Sequence, residues 1–167
     1  MKSLLLLIFV VPLFVSAQNC ELKKEKDPFT QQPQLSTGFM RFSSWGGKFS
    51  LNMVADAKEV KLLFSMGEGN CFDDESSAAL TFDGTRTKST QRNATTMNCD
   101  GIFTIVFRNS TTTPSVLQKM TQQKLTSIVL TDNNKKKIDI NLKDDEKQQL
   151  QEKLGCLVKE AKVLIQQ

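Results

Sequence analysis

Histidine and tyrosine are both missing from this chain of 167 residues. Without imidazole the chain lacks the commonest general base, the commonest zinc ligand and every serine or cysteine triad built on that ring. Catalysis would have to rest on carboxylates, a lysine or a serine-lysine pair. Long apolar runs are scarce too. The one present, Leu4 to Val15 with a break at Pro12, is shorter than the ~20 residues a helix needs to cross a bilayer. Excess charge is also lacking: the net value is +4 with acids and bases interspersed, which is too mild to imply nucleic acid.

What the amino terminus does contain is Met1-Lys2, the short apolar run, and the small pair Ser16-Ala17 with Val15 two positions before Ala17. That order of basic, apolar and small residues predicts a signal peptide over residues 1–17, cleaved after Ala17. The residues before Cys20 are Ala17-Gln18-Asn19 rather than the small or apolar residues a lipid-attachment signal wants. The product is therefore expected to be exported, periplasmic or secreted, with no membrane span once the signal is removed. Its richness in Lys, Asn and Gln and its Ala17-Gln18 junction resemble a Gram-negative envelope protein.

Four cysteines follow: Cys20, Cys71, Cys99 and Cys156. An even number in an exported chain suggests two bridges among three connectivities. Cys71 and Cys99 each follow an asparagine near the end of an expected strand, which favours pairing them and leaves Cys20 for Cys156. In the chain-entropy picture the inner loop contributes ~3.5 kcal/mol and the outer one ~5 kcal/mol. Zinc is disfavoured by the wide spacing and the missing histidine, so no metal and no cofactor is expected.

Residues 18–37 are rich in Lys, Glu, Gln and Pro, which reads as an extended or mobile lead-in to a single domain over 38–167. Phe49, Leu51 and Met53 alternate with polar residues, and Val60, Leu62, Phe64 and Met66 resume the period, which predicts an antiparallel pair. Ala78 to Phe82 and Thr85 to Arg92 flank Asp83-Gly84 and read as a hairpin whose polar second arm suits an exposed edge. Ile102 to Phe107, apolar or β-branched throughout, reads as a central strand. Thr113-Pro114 offers a cap and first residue for a short helix carrying Val116, Leu117 and Met120. A last hairpin spans Lys124 to Thr131 and Lys136 to Leu142. After Asp144, Leu150, Leu154, Leu157, Ala161 and Leu164 recur at helical spacing. The expected fold is α+β: six to seven mainly antiparallel strands in an open sheet or partial barrel, a short inserted helix, and a long C-terminal amphipathic helix packed on the sheet.

Few residues invite chemistry. Asp73, Asp74 and Glu75, with Glu68 nearby, form an acidic run that is a weak calcium candidate and a conceivable glycosidase pair. Its contiguous spacing suits a solvated connection better. Gly67 and Gly69 give a bare G-x-G, which reads as a turn. Two basic sets are candidates for an anion or a partner: Arg86, Lys88 and Arg92 on one face of the polar strand, and Lys135, Lys136 and Lys137 at the last hairpin. Trp45 is a candidate stacking platform. Asn93-Ala94-Thr95 and Asn109-Ser110-Thr111 match the glycan acceptor pattern. The reading favoured is a non-catalytic binding protein whose partner is a protein or an anionic glycan of the envelope. Its rivals are a carboxylate-dependent polysaccharide hydrolase, and an inhibitor or immunity protein capping an acidic enzyme cleft.

Overall fold

A computed structural model describes residues 20–44 and 47–165. The proposed signal peptide and Trp45 lie outside the described residues. Among the described residues the fold is α+β, with nine antiparallel strands in two open sheets and two helices. The first sheet holds β1 (Lys23–Lys26), β2 (Pro33–Ser44), β3 (Gly47–Ala55), β4 (Glu59–Ser65) and β7 (Ile102–Arg108), in that order. The second runs β6 (Ser89–Arg92), β5 (Ser77–Phe82), β8 (Leu125–Thr131), β9 (Lys137–Asn141). Helix α1 is Ser115–Gln122 and α2 is Asp144–Leu164.

Period-two alternation sorts the side chains. Register places Met40, Leu51, Phe64 and Phe103 in one row across four strands, all facing inward. From the second sheet come Ala78, Leu80, Ile128, Leu130 and Ile140. Leu150, Leu154, Leu157 and Ala161 of α2 complete one continuous core. Each such leucine contributes roughly 1.5–3 kcal/mol by leaving water. Phe42 stacks on Phe49 at 4.8 Å, and Phe72 meets Phe103 edge-on at 5.3 Å. The bridges are Cys20–Cys156 and Cys71–Cys99.

The structure departs from the sequence reading in several places. There are nine strands rather than six or seven, because β1 and the start of β2 fall within 18–37; that stretch is extended there and paired along Lys23↔Ser36 to Lys26↔Pro33. The arm expected from Thr85 begins only at Ser89. Asp83-Gly84 does turn, with the Thr85 N–H donating to the Phe82 carbonyl, but Phe82 itself pairs with Leu125 of β8, so residues 83–88 form a wider connection. The polar arm β6 does occupy a sheet edge.

The apolar strand β7 is not central: among the described residues β4 is the one strand that pairs with it. Its outer edge is covered instead by the Asn93–Ala94 backbone and side chain, as Thr104 N–H donates to Asn93 Oδ1 at 2.8 Å and Ala94 N–H to the Thr104 carbonyl at 2.9 Å. Pro114 is the cap of α1 rather than its first residue, its carbonyl accepting from Gln118 N–H. Gly101 is required where it stands. At φ +74° it passes so close to Gly67 that a Cβ there would collide with the Gly67 carbonyl.

Candidate anion-binding surface

Tight turns set the positions of the basic residues. Buried Asp132 accepts from the N–H groups of Asn134 and Lys136 at 2.9 and 2.8 Å, which folds the chain back after β8 and leaves Lys135 at φ +64°. Lys137 then enters β9 opposite Thr131. Thr131 faces Ser77 of β5, and Ser77 faces Arg92 of β6. Directly opposed residues share a sheet face, and Ala78 and Leu130 beside this row are buried inward. Arg92, Ser77, Thr131 and Lys137 therefore form one outward row, a cation at each end and two hydroxyl residues between. Three strand spacings separate the ends, roughly 14 Å.

The two basic sets, distant in sequence, thus meet through Arg92 and Lys137. Arg86 and Lys88 do not join them: both are exposed on the 83–88 connection rather than on the strand face expected for them. Lys135 is drawn aside by an ion pair with Glu75 at 3.2 Å. Lys136 and Lys137 instead line a notch with Lys48, at the start of β3, together with Met66, Asn70 and Asp139. Lys48, Lys136 and Lys137 are exposed, and among the described residues none has a carboxylate within 4.0 Å.

The acidic run is a turn. Asp73 Oδ1 accepts from the Ser76 hydroxyl at 2.8 Å, the Ser76 N–H at 2.9 Å and the Glu75 N–H at 3.1 Å. The Ser76 hydroxyl bond, ahead of the backbone ones, holds the Asp73 carboxyl below its ordinary range. Glu75 is committed to Lys135, while Asp74 is exposed. Among the described residues no group of three or more cysteines and carboxylates is placed to hold a metal ion.

Both glycan-acceptor asparagines are structural amides. Asn93 is 4% exposed, its Nδ2 donating to the Asp73 carbonyl at 2.9 Å and to Thr95 Oγ1 at 3.0 Å. Asn109 is 7% exposed, and its Nδ2 donates to the carbonyls of Asp56 and Ala161 at 2.7 and 2.9 Å. The nitrogen that would carry a glycan is buried and hydrogen-bonded in each case. The tripeptide pattern registers local spacing only and is blind to burial.

Sequence spacing gave no sign of Ser77, Thr131 and Lys48, because cross-strand register is a long-range property. An exposed lysine beside an inward phenylalanine was the sole hint at Lys48. Compared with protein-family models, curated proteins and solved structures, the chain matches none.

Proposed function

We propose that this is an exported, non-catalytic binding protein that recognises a polyanionic partner through the outer face of its second sheet. The observation that carries this reading is the row Arg92, Ser77, Thr131, Lys137, which sets two exposed cations at the ends of two half-buried hydroxyl residues, one from each of four strands. Carboxylates spaced along an extended partner can meet the two cations while the hydroxyls donate between them. The sheet fixes the four backbone positions in register, so the ordering cost of binding falls on the Arg92 and Lys137 side chains and not on the backbone.

Compartment enters the same proposal. Two disulfides suit an oxidising extracytoplasmic space. Among the described residues no helix is long and apolar enough to cross a membrane. The amino-terminal pattern supports periplasmic or extracellular residence.

The test is binding of the purified protein to polyglutamate and to polygalacturonate, measured by titration at rising salt. Affinity is expected for both polymers, to weaken as salt rises, and to fall at least about fivefold when Arg92→Glu and Lys137→Glu are combined. Binding that ignores the charge reversals would overturn the reading.

A further inference from the structure

We propose that the free edge of β9 is a docking site for an extended acidic polypeptide segment, which joins the second sheet as an additional strand. This rests on the anion-binding reading above and names the partner class.

Backbone hydrogen bonds fix which groups are open. Asp132 N–H donates to the Lys136 carbonyl at 3.0 Å and Leu142 N–H to the Thr126 carbonyl at 3.0 Å, so the even-numbered residues of this antiparallel ladder point their polar groups at β8. The N–H and C=O groups of Lys137, Asp139 and Asn141 therefore point away from the sheet. Among the described residues no strand and no loop backbone pairs with them. Such a row is a template for strand addition.

Charge selects the guest. The notch beside this edge brings Lys48, Lys136 and Lys137 together against one acid, Asp139. Half-buried Ile138 and Met66 offer apolar surface on the other face of an incoming strand. An acidic segment with alternating apolar residues meets all three demands. A polysaccharide can answer the lysines, but it carries no amide donors and acceptors at the strand repeat. A second copy of β9 fits badly, since antiparallel pairing centred on Asp139 sets two aspartates directly opposite each other.

The test uses a fluorescein-labelled heptapeptide alternating glutamate with valine, the same peptide N-methylated at every amide, and polygalacturonate. The plain peptide is expected to bind, and the methylated one, equal in charge, to bind about tenfold more weakly or worse. Asp139→Pro removes an outward N–H that β8 does not use and also removes a negative charge. Strand addition requires this variant to bind the peptide more weakly than wild type, whereas simple charge attraction requires it to bind more tightly. Asp139→Asn, which keeps the N–H, serves as the charge control, and the methylated peptide decides the matter should the proline variant fail to fold. Equal binding of the two peptides overturns strand addition and leaves the anion-binding reading standing. Binding of polygalacturonate without the peptide does the same. Binding of none of the three overturns both.

Discussion

Asn109 and Ala161 meet at the end of α2, where the asparagine amide donates to the helix carbonyl at 2.9 Å. The last carbonyls of a helix have no partner within it. Asn109 supplies one from β7's exit while its second Nδ2 hydrogen reaches the Asp56 carbonyl, and its own N–H donates to the Lys58 carbonyl at 2.7 Å. One amide thereby joins the final helix, the β3–β4 turn and the edge strand.

Asn109→Ala is expected to destabilise the protein by about 1–3 kcal/mol, since the buried Ala161 carbonyl and the half-buried Asp56 carbonyl lose their donor. Thr111→Ala destroys the same glycan-acceptor pattern but spares the amide, and it is expected to leave stability unchanged. Urea denaturation of both variants checks this. Equal losses in the two would contradict the structural role.

Glu146 joins two elements in a similar way. Its Oε2 accepts from the Lys143 N–H at 2.9 Å, closing the start of α2, and its Oε1 accepts from the Ser43 N–H of β2 at 2.7 Å. Glu146→Ala is expected to cost about 1–3 kcal/mol, with Glu146→Gln losing less because it keeps an acceptor oxygen. Hydrogen exchange at the Ser43 amide is the direct readout. It should quicken strongly in the alanine variant while exchange at the far end of β2 changes little.

Acid should weaken the fold through three carboxylates. Asp73 is held low by the Ser76 hydroxyl, Asp27 by the backbone N–H groups of Thr30 and then Phe29, and Asp144 by hydrogen bonding to Lys147. Each binds its proton more weakly when folded than when unfolded, so the stability it adds is present above the ordinary value of 3.8 and is lost as pH falls through the depressed folded value. The urea midpoint, followed from about pH 6 to pH 2, is expected to hold level and then drop below about pH 4. Ser76→Ala, which removes the strongest bond to Asp73, should flatten part of that drop.

Local pattern carried much of the architecture. Phe49, Leu51 and Met53 face the core as their alternation requires, and the apolar stripe of α2 packs inward where Leu150, Leu154, Leu157 and Ala161 place it. The cysteine pairing could be reasoned out because only one arrangement used both strand ends together. Strand β1 was opaque: Lys23-Lys24-Glu25-Lys26 has no apolar period, and its extended form comes from pairing with β2. The edge position of β7 was hidden for the opposite reason. Its outward Thr104 is buried by Asn93 and Ala94, so a half-covered edge strand has the composition of a central one. The row proposed to bind anions was legible only at its ends. Arg92 and Lys137 stood out as charges, while Ser77 and Thr131 acquire meaning only once the register across four strands is known.

The Cys20–Cys156 bridge spans a sequence separation of 136 residues and encloses every strand among the described residues. Its consequence is mechanical. Tension applied to the chain before Cys20 and after Cys156 runs through the sulfur link and the last turns of α2, bypassing both sheets. The load that would peel β1 from β2 in a chain without that link falls on a covalent bond, so the outer face of the second sheet keeps its shape while the ends are pulled.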